Sequence, residues 1–193
     1  RILELGAGDG TLLLRFARAL APPWRGVELT LLDRVDLVSA RTHAGYRKLG
    51  WQANCLRADA LVWAASPQTR RYDLCFANLF LHHFEAAPLR FLLRAAAAAS
   101  EAFVACEPRR SNIARLGSRL IVLLGASAVT RQDAVKSVAA GFTGRELSAE
   151  WSAPGGEWNL AEFPAPPFSH CLAAARAKSP RPREHRGGGC DEL

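Results

Sequence analysis

Residues 1–10 read Arg1-Ile2-Leu3-Glu4-Leu5-Gly6-Ala7-Gly8-Asp9-Gly10. Ile2, Leu3 and Leu5 make a short apolar strand that runs straight into a glycine-rich turn, and a helix-like stretch opens at Thr11. Glycine has no Cβ and tolerates positive φ, so such a turn bends sharply and admits a ligand close to the backbone. The first N–H groups of the following helix have no partner within it and point at whatever occupies the turn. Spacing narrows the ligand. The dinucleotide pattern G-x-G-x-x-G needs glycine at position 11, where this chain has threonine. The third glycine instead falls one residue earlier, as Glu-x-Gly-x-Gly-x-Gly.

Beyond the turn, Leu12, Leu13, Phe16, Ala17 and Leu20 recur at helical spacing, and Pro22-Pro23 ends that helix. Val27 to Leu32 reads as a second strand stopping at Asp33, and Leu37 to Leu49 as a helix closed by Gly50. Gln52 to Arg57 is a third strand leading into Asp59-Ala60, with Pro67 breaking the loop beyond. Tyr72 to Asn78 is a fourth, apolar enough to be covered on both faces. Pro88 to Ala99 is an alanine-rich helix, and Ala102 to Cys106 a fifth strand ending at Glu107-Pro108. This alternation predicts a mainly parallel sheet with helices on both faces. Helices are expected over 113–124 and 132–140. Two late strands, Trp158 to Phe163 and Ser169 to Ala175, follow and pair antiparallel across Pro164, Pro166 and Pro167. One domain over 1–177 is expected, followed by a disordered basic and glycine-rich tail over 178–193.

Composition bounds the function. The 193 residues are 49% hydrophobic and 22% charged, as in ordinary globular chains. The apolar run Leu120 to Ala126 is far short of the ~20 residues that span a bilayer. There is no methionine, so a native N-terminus upstream of Arg1 is expected. The net charge of +7 raises nucleic acid as a partner. However, the basic residues (Arg15, Arg18, Arg25, Arg34, Arg41) are scattered and not interleaved with aromatics, so a solvated basic surface is the expectation. The five cysteines, Cys55, Cys75, Cys106, Cys171 and Cys190, include no C-x-x-C pair and several sit in apolar runs. They read as small hydrophobes in a reducing, cytoplasmic setting.

Ligands of open α/β sheets bind beyond the carboxyl ends of the strands. Each expected end carries a polar feature: the glycine turn, then Asp33, Asp59, Asn78 and Glu107. Asp33 lies about where an acidic residue meets ribose hydroxyls, since two carboxylate oxygens accept from two vicinal hydroxyls. The alternative is a cap on the next helix. Asp59 suits an exocyclic amino group, with the small Ala60 beside a ring, or is a plain loop aspartate. Histidine as a residue type titrates near neutrality, so His82 and His83 are the candidate general bases. Either could instead pack beneath the following helix or lie exposed. Glu107, Arg109 and Arg110 form a polar cluster suited to an acidic or phenolic acceptor, or a surface ion pair. Residues 116–129, and the cluster Trp151, Trp158 and Phe163, are an apolar roof or ordinary packing.

With these residues in place, about Arg1 to Ala175 resembles the class I S-adenosylmethionine (SAM) dependent methyltransferases. The resemblance implies a Rossmann-like, doubly wound α/β fold: a mostly parallel seven-stranded sheet with an antiparallel last strand. It implies SAM as cofactor, its methionine part held by Glu4, Gly6, Ala7, Gly8 and Gly10. Asp33 would hold the ribose, Asp59 and Ala60 the adenine, and Asn78 would lie beside the cofactor. The stretch Ala77-Asn78-Leu79-Phe80-Leu81-His82-His83-Phe84 is most similar to the small-molecule branch, which includes quinone and polyketide methyltransferases. Nucleic-acid amino-methyltransferases carry Asn/Asp-Pro-Pro-aromatic there, where this chain has Leu79-Phe80. The expectation is a small, aromatic or polyketide-like acceptor, with O-methylation favoured over C-methylation. A metal-assisted mechanism is not expected, because no adjacent Asp-Asn pair follows strand five. The rivals are an NAD-dependent oxidoreductase, a nucleic-acid or protein methyltransferase, and a non-catalytic SAM-binding or partner-binding domain.

Overall fold

The computed structural model describes residues 1–20, 23–67, 69–111, 139–154 and 157–177. In chain order they form β1 (Ile2–Leu5), α1 (Thr11–Ala19), β2 (Glu28–Asp33), α2 (Ala40–Lys48), β3 (Gln52–Arg57), α3 (Ala60–Ala65) and β4 (Leu74–Asn78). A 3-10 turn (Leu81–His83), α4 (Ala86–Ala99), β5 (Ala102–Pro108), α5 (Glu146–Glu150), β6 (Trp158–Ala165) and β7 (Ser169–Arg176) follow. The strands make one sheet in the order β3-β2-β1-β4-β5-β7-β6. Strands β1 to β5 are mutually parallel, and β7 runs antiparallel to both β5 and β6. The doubly wound sheet with a reversed last strand is therefore as the sequence predicts.

Register divides the side chains between two faces. Leu3, Cys75 and Phe103 lie side by side, as do Leu5, Leu32, Ala77, Ala105 and Leu172. They pack against Trp63 of α3, Leu89, Leu92 and Leu93 of α4, and Leu147 of α5. On the other face Ile2, Leu29, Leu31 and Phe76 meet Leu13, Leu14 and Ala17 of α1 and Tyr46 of α2. Each fully buried leucine contributes about 1.5–3 kcal/mol. The apolar spacing in α1 and α4 thus fixes the side of the sheet each helix covers, and leaves the strand ends open.

Several expectations change. The fourth strand begins at Leu74, because Tyr72 only bridges to Ser100. Helix α4 starts two residues early at Ala86, which places Pro88 in the first turn where its missing N–H costs nothing. Helix α3 was not expected; Asp59 caps it and Ser66 ends it. Cys106 and Cys171 do not act as separate small hydrophobes. They face each other across β5 and β7 with Cα atoms 4.4 Å apart and are joined by a disulfide. The argument from cysteines for a reducing compartment therefore fails for this pair, while Cys75 is buried as expected. The expected roof over 116–129, the helix over 113–124, nearly all of that over 132–140 and the 178–193 tail lie outside the described residues. Among the described residues no helix is long and apolar enough to cross a membrane.

Candidate functional site

The glycine turn leaves β1 with Gly6, Gly8 and Gly10 all in the left-handed region, at φ 67°, 54° and 67°. At Gly6 the reason is close approach: a Cβ there would lie 2.2 Å from the Phe80 ring. At Gly8 the space is open, with nothing within 4 Å of a Cβ, so its backbone faces outward as a ligand cradle requires. The turn is pinned from outside by Ala7 N–H donating to the Leu32 carbonyl (3.0 Å) and Tyr46 O–H donating to the Gly10 carbonyl (2.7 Å). Thr11, the residue that breaks the dinucleotide spacing, gives both its N–H (3.0 Å) and its hydroxyl (2.7 Å) to Asp9 Oδ1. Those bonds from Thr11 hold the Asp9 carboxyl below its usual pKa.

Asp33 ends β2 and accepts from Gly8 N–H at 2.9 Å and Val35 N–H at 3.0 Å. It does not cap the next helix, because Ser39 caps α2 by accepting from Thr42 N–H. Two backbone donors fix its carboxylate against the glycine turn and leave lone pairs for further donors. Asp59 is not a plain loop aspartate but the cap of a helix. One oxygen caps α3 through Leu61 N–H at 2.8 Å and Val62 N–H at 3.4 Å, and the residue also lines a cleft. That cleft has a volume of about 330 Å³. Leu32, Ala58 and Ala60 contribute its apolar lining, Asp33, Arg34 and Asp59 its polar lining, and Phe80, His83 and Phe84 its aromatic lining.

Glu4 lies under the turn, 2% exposed, and its Oε2 has no hydrogen-bond partner among the described residues. Burial, reinforced by the negative charge of Asp9, pushes its pKa up to about 8. An unpartnered buried carboxyl is costly and marks a place where a donor or cation is wanted. Asn78 ends β4, half-buried opposite Cys106, and Leu79 beyond it adopts φ 50° as the chain turns into the histidine segment.

The structure separates the paired histidines. His82 has a side chain only 5% exposed, its Nδ1 is 2.8 Å from Glu107 Oε2, and its buried Nε2 has no partner among the described residues. His83 is exposed and lines the cleft, its ring centroid 4.1 Å from that of His82. Burial, and then the neighbouring His82, hold the His83 pKa below 6.5, against the opposing pull of Glu107.

Glu107 is not an acceptor-facing residue as the sequence suggested. It is fully buried and accepts from the N–H groups of Phe80 (3.0 Å), Leu81 (2.9 Å) and His82 (3.3 Å), besides the imidazole. A carboxylate can take this many donors, so the residue shapes the whole 80–82 segment. The arginines do not converge on it either. Arg110 pairs with Glu146, and Arg109 is held by its backbone N–H to the Phe168 carbonyl at 2.7 Å. Neither lines the Asp33–Asp59 cleft. A second buried imidazole–carboxylate pair, His170 Nε2 to Glu162 at 2.8 Å, sits next to Glu107 in register and ties β6 and β7 to α5. Sequence reasoning missed both carboxylate hubs, and only the strand register would have exposed them. Trp151 and Trp158 pack together against Phe103, whereas Phe163 is exposed.

No family model matches this chain, and no curated protein matches it by sequence. Solved structures do. Magnesium protoporphyrin IX methyltransferase from Synechocystis PCC 6803, with bound S-adenosylhomocysteine (SAH), superimposes at TM-score 0.54 and 12% identity, covering 91% of this chain and 74% of that one. The pyocyanin biosynthetic protein PhzM gives TM-score 0.57 at 18% identity, over 91% of this chain and 50% of its own. The fold is shared. A pericyclic reaction enzyme matches equally well, at TM-score 0.54 and 15% identity, covering 91% of this chain and 42% of its own. At these identities the likeness establishes architecture, and chemistry must come from the residues.

Proposed function

We propose that this chain is the SAM-binding domain of a methyltransferase for a small-molecule acceptor. The observation that carries the reading is the arrangement at the strand ends. An open glycine turn, a buried Glu4 oxygen without a partner among the described residues and a cleft flanked by two carboxylates lie along the carboxyl edge of one sheet. Glu4 suits the ammonium of the methionine part, Asp33 the ribose hydroxyls, and Asp59 with Ala60 the adenine. Asn78 lies at the next strand end. When bound, SAM supplies a methyl group already activated on a sulfonium.

The protein's own contribution is orientation, exclusion of water and management of one proton. Glu107 accepting from His82 Nδ1–H leaves Nε2 as the basic nitrogen, the arrangement of a histidine that takes a proton from a hydroxyl. This favours O-methylation of an aromatic or polyketide-like acceptor. The solved magnesium protoporphyrin IX methyltransferase supports the reading through its fold. A cytoplasmic placement goes with this reading, and the Cys106–Cys171 bond is the observation that stands against it, since disulfides are rare in reducing compartments.

The pericyclic enzyme supports a second reading, in which this fold binds its ligand without methyl transfer. Titration calorimetry with SAH and with NAD decides the first question: SAH binds and NAD does not. Asp33→Ala weakens SAH at least about tenfold, the scale of one lost charge-assisted hydrogen bond at about 1.5–3 kcal/mol. A preference for NAD, or unchanged affinity in the variant, overturns the assignment. Methyl transfer to a panel of phenolic acceptors then separates the two readings.

A further inference from the structure

The two histidines arose as interchangeable candidates for one base, but their surroundings differ in kind. His82 points inward to Glu107 and is absent from the lining of the Asp33–Asp59 cleft. His83 faces that cleft, together with Phe80 and Phe84, whose rings pack edge to face at 5.1 Å. The cleft pairs apolar Leu32, Ala58 and Ala60 with aromatic side chains and sets Asp59 among them as an acceptor. Among the described residues only one oxygen of Asp59 is committed, to the cap of α3. A flat heteroaromatic ring with an amino group on its edge matches that distribution.

We propose that His83 is a ligand-binding residue, forming with Phe80 and Phe84 the aromatic wall against the adenine of the cofactor, and that it takes no part in proton removal from the acceptor. This rests on the SAM-binding reading above. The imidazole acts through its flat face, so it must be aromatic and need not titrate. Its lowered pKa keeps it neutral at physiological pH and avoids placing a cation against the ring. Of the two adjacent histidines, His82, behind it, is then the one left as a base.

The test uses two ligands and three variants of the whole chain, with Kd read by calorimetry and folding by circular dichroism. SAH carries both the amino-acid part and adenine, and 5′-methylthioadenosine carries adenine without the amino acid. His83→Ala should raise Kd for both by the same factor, at least about fivefold, the scale of one lost base–aromatic contact. His83→Phe, which keeps the flat face and loses both nitrogens, should bind both close to wild type. Glu4→Gln should weaken SAH and leave 5′-methylthioadenosine unchanged. Addition of 5′-methylthioadenosine should also shift the His83 ring proton resonances in the wild-type protein.

Wild-type affinity in His83→Ala, or a His83→Phe variant as weak as the alanine, overturns the proposal. So does a static His83 resonance in a protein that binds both ligands. Failure of the wild-type chain to bind SAH at all is a different result: it removes the SAM-binding reading itself.

Discussion

Replacing Glu4 by glutamine tests the reasoning at the glycine turn most directly. The carboxyl has a pKa of about 8 in the folded protein against 4.5 for an ordinary glutamate. Folding therefore takes up a proton over that interval. The stability contribution is intact below pH 4.5, falls as pH rises, and is fully lost above pH 8. Each pH unit within the window is worth up to about 1.4 kcal/mol. Between pH 5 and pH 8 the penalty grows by about 3–4 kcal/mol. Glutamine has nearly the same shape and no charge, so the variant escapes this loss, and the fixed cost of its buried amide cancels when the pH dependence alone is compared. Urea denaturation of both proteins at pH 5, 6, 7 and 8 should show the wild type losing about 3–4 kcal/mol relative to Glu4→Gln. A difference constant within about 0.5 kcal/mol across that range would refute the argument that Glu4 is buried without a partner.

Other substitutions probe the remaining parts. His82→Ala should leave SAH affinity intact and lower kcat by about 10²–10⁴, the range for a lost general base, in an assay with a methylated phenolic product. Gly6→Ala puts a methyl into the Phe80 ring at a residue with φ 67°, so a loss of about 1–3 kcal/mol is expected in thermal unfolding, partly restored by adding Phe80→Ala. Cys171→Ser should cost about 2–4 kcal/mol, seen as a lower Tm that reductant no longer affects. Insensitivity of the wild type to reductant would show that the Cys106–Cys171 bond is not formed in solution.

Much of the fold was legible because parallel strands buried on both faces read as apolar runs, and each run stops at a polar residue. Asp33, Asp59, Asn78 and Glu107 were found that way. The role of Glu107 was not, because its partners lie 25–27 residues away and meet it only when β5 docks beside β4. The Cys106–Cys171 pairing is hidden for the same reason, across 65 residues and a register that spacing does not reveal. Helix α3 was missed because six residues carry too little periodicity, although Asp59 was its cap. The adjacent histidines look identical in sequence. What divides them is that the 3-10 turn sends one ring down to Glu107 and the other out to the cleft.

The contact between Gly6 and Phe80 also bears on how this sequence can drift. The ring occupies the volume that any side chain at position 6 would claim, so the turns after β1 and β4 are sterically interlocked. A side chain at position 6 therefore requires a smaller residue at position 80. In relatives of this chain a non-glycine at position 6 should occur only with a small residue at position 80, and a library randomised at both sites should recover that coupling among its folded members.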